Sequence, residues 1–226
     1  MNFCSTLGSI NGMLQIELLT ITDFAQNCRI IADTKTKNAI VVDPGGDVRV
    51  ILSRLKERGW LCQEIWLTHC HIDHCGGVKD LKDATSAKVL GHRAEVEMRA
   101  HAEDICRYYG IPLGSMKNCP EPDQYIEGGE TLNFCGFEFK TLFTPGHSPG
   151  HIAFYNEKES FVLAGDALFA GSIGRTDLPG GDTETLLTSI RTKLLTLPDN
   201  TRVLSGHGED TTVGEERRTN PFLQGD

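Results

Sequence analysis

Apolar residues along the first part of the chain fall in short β-type stretches: Leu14–Ile21, Cys28–Ala32 and Ala39–Val42. Asp43-Pro44-Gly45-Gly46 then interrupts the pattern as a turn. Val48, Ile51, Leu52 and Leu55 recur at helical spacing, and Gly59 is placed to close that helix. Ile65-Trp66-Leu67 predicts a buried strand that ends at Thr68. Val78 to Leu81 reads as helix, Lys88-Val89-Leu90 as strand and Arg93 to Tyr109 as helix. From Gly110 to Gly129 three prolines and several glycines predict an irregular excursion. Strand patterns return at Phe137–Phe143, Ile152–Tyr155 and Phe161–Ala164. Leu186, Leu187, Ile190 and Leu194 share one face of a helix over Thr183–Leu195, capped by Asp182 or Thr183. Arg202-Val203-Leu204 is the last strand, ahead of a short helical tail. Each half runs strands first and helices later, which predicts two similar β/α layers packed as one domain over residues 1–226.

Composition narrows the class. With 226 residues the chain is long enough to bury a full core, and a hydrophobic share of 39% with 23% charged residues is that of a globular protein. The formal charge of −9 argues against general nucleic-acid binding, which needs basic surface. There is no apolar run of roughly 20 residues to span a bilayer. Met1 to Thr20 lacks a basic start followed by an apolar stretch. The expectation is a cytoplasmic monomer or small homo-oligomer, with no membrane and no nucleic-acid partner. Eight cysteines, at 4, 28, 62, 70, 75, 106, 119 and 135, are spread through the chain with no C-x-x-C pair, as expected for reduced and mostly buried thiols.

Chemistry concentrates in Thr68-His69-Cys70-His71-Ile72-Asp73-His74, directly after an apolar strand. Histidines at i and i+2 of an extended loop can converge on one cation, while the following Asp-His pair points elsewhere and can hold a second. As plain structure the cluster is costly, because the imidazoles compete for few partners and repel when protonated. A divalent ion removes that cost, and neutral imidazole is a common ligand for it. Three further candidates lie where a strand runs out into a loop: His147 in Thr144-Pro145-Gly146-His147, Asp166 after Phe161–Gly165, and His207 after Arg202–Gly206. The glycine before each lets the backbone turn closely. His151 is either a hydrogen-bond donor to a ligand or a hairpin residue, and Asp43 either a hydrogen-bond acceptor for a ligand or a turn former before Pro44. His92 and His101 read as surface or packing residues.

These motifs resemble the metallo-β-lactamase superfamily and, within it, the glyoxalase II group of thioester hydrolases. The resemblance runs from Val42-Asp43-Pro44-Gly45-Gly46 to Asn220-Pro221-Phe222-Leu223. It implies an α/β chain with the αββα four-layer sandwich. His69, His71 and His147 would hold one metal and Asp73, His74 and His207 another, with Asp166 bridging both. Zinc would be the usual ion, with iron or manganese as alternatives. A metal-bridging hydroxide would be the nucleophile, with Asp73 accepting a hydrogen bond that orients it. The implied reaction is hydrolysis of a glutathione thioester such as S-lactoylglutathione, a small-molecule substrate whose thiolate leaves with little protonation.

Only 19 residues follow His207, too few for the C-terminal helical domain of longer glyoxalase II enzymes, so the chain resembles the short, single-domain bacterial type. Gly174–Asp182 resembles a segment shared by those short hydrolases and by persulfide dioxygenases. Two roles are open for Arg175 within it: pairing with a substrate carboxylate, or a structural ion pair with Asp177 or Asp182. A persulfide dioxygenase, with one iron held by His69, His147 and Asp166, is the rival reading, and Cys70 inside the motif also occurs in that group. Thr212–Arg217 and Asn220–Gln224 look closer to the hydrolases. Nothing in the sequence selects a ring substrate, as a lactonase or β-lactamase would need, and no basic exosite points to a nuclease. A structural zinc site, usually closed by Cys and His, is a poor match to carboxylate-rich ligands.

Overall fold

A computed structural model describes residues 6–7 and 13–224. The chain divides into two compact units, residues 1–91 with 96–125 and residues 92–95 with 126–226. The change from one to the other at Tyr125/Ile126 falls inside the irregular excursion expected at 110–129.

The first unit is built on a seven-stranded sheet in sequential order: β1 (Thr6–Leu7), β2 (Leu14–Ile21), β3 (Gln26–Asp33), β4 (Asn38–Val42), β5 (Leu61–Trp66), β6 (Lys88–Gly91) and β7 (Gln124–Tyr125). The early strands pair antiparallel, while β4 to β7 run parallel. Parallel neighbours need crossovers, supplied here by α1 (Val48–Arg58) and α3 (Val78–Thr85). A four-residue helix, α2 (Ile72–Cys75), precedes α3, and α4 (Val96–Tyr109) follows β6. Every residue of β3 is buried, as suits a strand enclosed in the sheet interior. Gly59 closes α1 as expected, at φ 65°, with its N–H returning to Leu55 and Lys56 carbonyls. Ile51, Leu55, Ile65, Val78 and Leu81 belong to one apolar core.

Six strands form the sheet of the second unit: β8 (Thr131–Phe134), β9 (Phe137–Phe143), β10 (Ile152–Asn156), β11 (Phe161–Gly165), β14 (Arg202–Ser205) and β15 (Thr211–Thr212), in spatial order β15-β14-β11-β10-β9-β8. A small ribbon of β12 (Leu168–Phe169) and β13 (Ser172–Ile173) stands apart from it in the hydrogen-bond pattern. The helix expected over 183–195 begins as α5 (Thr183–Ser189) with the Asp182 carboxylate accepting from Thr185 N, which settles the cap. It then widens into a π-turn over Ile190–Leu194. Leu186, Ile190 and Leu194 are buried in this unit's core, and α6 (Val213–Thr219) ends the regular structure. The sequence pattern missed β8, a four-residue strand next to a Gly turn, and the two-residue strands β1, β7, β12, β13 and β15.

Strand direction decides where polar loops collect. In the first unit β4 and β5 run parallel with Val42 opposite Trp66, so Asp43 and the Thr68–His74 segment both leave the carboxyl end of the sheet. In the second, β11 and β14 run parallel with Gly165 opposite Ser205, which brings Asp166 and Gly206-His207 out at one edge. β10 is antiparallel to β11, so the 144–151 loop entering β10 lies at that same edge. Carboxyl ends of parallel strands are where such sheets bind ligands.

Candidate metal centre

Asp43 organises the histidine segment of the first unit. Its backbone sits at φ 50°, rare for a residue with a side chain. The carboxylate Oδ1 accepts from Thr68 N at 2.8 Å, and Oδ2 accepts from Thr68 Oγ1 at 2.7 Å. Oδ2 also lies 3.0 Å from His74 Nδ1. An ionised aspartate only accepts, so in its neutral form, the one that ligates metal, His74 carries its proton on Nδ1 and leaves Nε2 without one. The Thr68 hydroxyl hydrogen is committed to Asp43, so its oxygen accepts from His69 Nδ1, 3.0 Å away. His69 Nε2 is therefore also unprotonated, and it lies 3.1 Å from His71 Nδ1. The three imidazoles crowd together, with the His69 ring centroid 4.7 Å from that of His71 and 4.1 Å from that of His74. Asp73 Oδ2 stands 3.7 Å from His74 Nε2. Of the two roles open to Asp43 from sequence, the structure selects the hydrogen-bond partner, which sets two tautomers.

The second unit repeats this logic. His147 Nδ1 donates to the Arg175 carbonyl at 2.7 Å, which in the neutral imidazole leaves Nε2 unprotonated. Asp166 Oδ2 lies 3.6 Å from His147 Nε2 and 3.6 Å from His207 Nε2. His151 is fully buried, and its Nε2 accepts from Asp166 N at 3.1 Å. Its Nδ1 proton consequently faces Thr144 Oγ1 at 2.8 Å. His151 thereby holds the Asp166 backbone in place. Glu95 carries no signal in the sequence: it is buried and accepts from Gly150 N at 2.6 Å, tying down the loop that carries His147. The two residues are 55 apart in the chain, and no local pattern announces such a pair.

The donor set fits divalent metal ions. Ligand bonds of about 2.0–2.2 Å to nitrogen and oxygen place neighbouring ligand atoms roughly 3–3.6 Å apart around one ion. The 3.1 Å His69–His71 separation and the two 3.6 Å contacts of Asp166 lie in that range, the latter being too long for hydrogen bonds. In each unit, backbone carbonyls, threonines or carboxylates hold the outer imidazole nitrogens, as they do around metal-binding histidines.

Arg175 extends its guanidinium to Asp177, with Nε to Oδ1 at 2.7 Å and Nη2 to Oδ2 at 2.8 Å. This fork holds the Asp177 carboxyl down at about 2. Of the partners that the sequence offers Arg175, Asp177 is the one engaged. His92 is buried and stacks on Phe143 with ring centroids 4.9 Å apart, and His101 is exposed, in keeping with packing and surface roles. All seven described cysteines are outside disulfides, Cys4 lies outside the described residues, and burial pushes the Cys62 thiol up to about 12. Among the described residues no helix is long and apolar enough to cross a membrane.

Two strand-edge clusters of histidine and aspartate, each on a mixed sheet with flanking helices, define a metal-binding α/β fold. The chain belongs to the metallo-β-lactamase superfamily, whose family description matches residues 21–207. It is 40% identical over 212 residues to the hydroxyacylglutathione hydrolase GloC of Haemophilus influenzae, covering 93% of this chain and 98% of the relative. It is 45% identical over 186 residues to the probable metallo-hydrolase YqgX of Bacillus subtilis, covering 82% and 87%. Among solved structures, the BLEG-1 B3 metallo-β-lactamase superposes with a TM-score of 0.86 at 37% identity, covering 93% of this chain and 100% of that one. TTHA1623 in a di-iron-bound form gives 0.82 at 36% identity, covering 91% and 99%. ETHE1 from Myxococcus xanthus gives 0.75 at 26% identity, covering 93% and 85%.

Proposed function

We propose that the chain acts as a single metallo-β-lactamase-like domain and hydrolyses glutathione thioesters such as S-lactoylglutathione. In this reading His69, His71 and His147 would hold one divalent ion, Asp73, His74 and His207 would hold a second, and Asp166 would serve both. The observation that carries it is the proton bookkeeping at the imidazoles: hydrogen bonds at Nδ1 of His69, His74 and His147 leave each Nε2 ready to ligate. The family description, which spans residues of both units without interruption, supports the single domain. The likeness to GloC over 98% of that protein's length supports the substrate class.

When bound, a pair of divalent ions would supply water ionised near pH 7 and a Lewis acid for the carbonyl. The protein's own part is to place and orient. Asp73 accepts a hydrogen bond from the attacking water and aims it at the thioester carbon. Asp43 and His151 keep the ligand side chains and the Asp166 backbone from shifting as charge develops. A thiolate leaves without a general acid, which matches a donor set containing none. Arg175 takes the substrate's carboxylate by exchanging it for Asp177 in the guanidinium fork. Arg175→Ala is expected to raise KM for anionic thioesters about tenfold with little change in kcat. Asp177→Asn, which weakens the competing partner, is expected to lower that KM. Equal effects on neutral and anionic thioesters would refute the assignment.

The test of the main reading is elemental analysis joined to two assays on one sample. Two zinc, iron or manganese ions per chain with S-lactoylglutathione hydrolysis bear it out. One iron per chain, with oxygen consumed in the presence of glutathione persulfide and no thioester turnover, would replace it by a mononuclear persulfide dioxygenase. The ETHE1 likeness supports that alternative, at lower identity than GloC.

A further inference from the structure

Cys70, Cys75 and Cys119 are buried, and their Sγ atoms all lie within 4.8 Å of one another. Cys28, Cys62 and Cys106 are buried too, but join no such trio among the described residues. Packing alone accounts for small apolar thiols dispersed through a core. It does not ask three sulfurs from separate chain segments to face one point. Cys70 lies between His69 and His71, Cys75 ends α2, and Cys119 comes from the irregular segment after α4. That segment is fastened to the same region by Lys117 N donating to Gly76 O and Cys119 N to Arg99 O, both at 2.9 Å.

We infer that these three cysteines form an all-sulfur site for one soft d10 cation, Cu(I), separate from the histidine and aspartate ligands. Metal–sulfur bonds of about 2.3 Å put three sulfurs around one ion roughly 4 Å apart, so side-chain rotations of under an ångström complete the shell. Thiolates select copper(I) and zinc over harder ions. Zinc's structural sites take four ligands, whereas this trio offers three, which suffices for Cu(I). Two of the thiols spend their protons on weak bonds to main-chain oxygens, Cys75 to Cys70 O and Cys119 to Pro120 O, both at 3.4 Å. Binding releases the thiol protons to solvent and exchanges these contacts for metal–sulfur bonds. Arg99 and Lys82 supply positive potential at Cys119, partly offsetting the anionic shell. The inference does not depend on the hydrolytic reading.

The test is an anaerobic Cu(I) titration of the reduced, full-length protein as isolated, against a bicinchoninate competitor, with X-ray absorption on the loaded sample. One Cu(I) per chain in a shell of three sulfurs is expected, with affinity lowered at least tenfold in Cys119→Ser and unchanged in Cys135→Ser. A nitrogen-containing shell, substoichiometric uptake, or equal affinity in the wild type and Cys119→Ser overturns it. Preferred loading of the thiols by Zn(II) overturns the choice of ion. If Cys119→Ser does not fold by thermal melting, Cys119→Ala serves in its place, and the wild-type absorption spectrum decides without either variant.

Discussion

His71→Ala or Asp73→Ala is expected to abolish thioester hydrolysis, by about three orders of magnitude or more, in a protein that still folds. The reason lies in where each side chain stands. His71 sits at the N-cap of α2 and Asp73 in its first turn, and neither side chain belongs to the apolar clusters that take up Ile72 and Cys75 of the same helix. His71 Nδ1 faces His69 Nε2 at 3.1 Å, so its removal leaves His69 with half of a ligand pair. Asp73 Oδ2 stands beside His74 Nε2 at 3.7 Å, and on the proposed mechanism its loss removes both a ligand and the acceptor that orients water. Metal content, circular dichroism and kcat/KM should be measured together. Each variant should lose bound metal and turnover while its melting temperature changes little in the metal-free state. Full activity in either variant, with the fold intact, would refute the mechanism.

Gly45→Ala is expected to be as damaging by a different route. A Cβ at position 45 would fall 1.4 Å from the Asp73 carbonyl oxygen and 2.3 Å from its carbon, inside atoms that cannot rotate away. The Asp43–Gly46 turn and the start of α2 are therefore in backbone contact, and one methyl group forces them apart. Overpacking of this kind costs about 2–3 kcal/mol, or roughly 5–10 °C of melting temperature in a chain this size. It also displaces Asp73 and His74 together, and a misplacement near 1 Å is worth about a hundredfold in rate. Gly59→Ala is the control: its Cβ meets nothing within 4 Å, and only the left-handed φ of 65° is strained. That variant should lose about 1 kcal/mol and keep its turnover. Equal losses of activity in the two variants would show that the contact with Asp73 does not matter.

Much of the chain could be read before any coordinates. The strand patterns at Leu14–Ile21, Phe137–Phe143 and Phe161–Ala164 match β2, β9 and β11, because these stretches are long enough for side-chain alternation or continuous burial to show. The candidate ligands were visible too, since a cluster of three histidines and an aspartate has few other uses. Less was legible where partners are distant. His151 reads from sequence as a donor to a ligand or a hairpin residue, whereas in the fold its Nε2 accepts from Asp166 N, a contact that no local pattern shows. Arg175 likewise showed two possible partners, of which Asp177 is the one engaged. The helix over 183–195 was correct in extent, but its switch to a π-turn at Ile190 leaves no mark in the apolar spacing.

The linear order of residues was sufficient to specify the alternation of strands and helices, the turns at Asp43–Gly46 and Gly59, and the residue types that suit a metal. Those are local matters of periodicity, backbone freedom and donor chemistry. The folded chain alone decided which imidazole nitrogen carries a proton, that Asp43 governs Thr68 and His74, that Glu95 reaches Gly150, and that Cys119 joins Cys70 and Cys75. Nearly all of these rest on contacts across tens of residues, set by which strands run parallel and which loops share an edge, and no short-range pattern encodes that; the Thr68–His69 bond is local, but Asp43, 25 residues away, decides its direction.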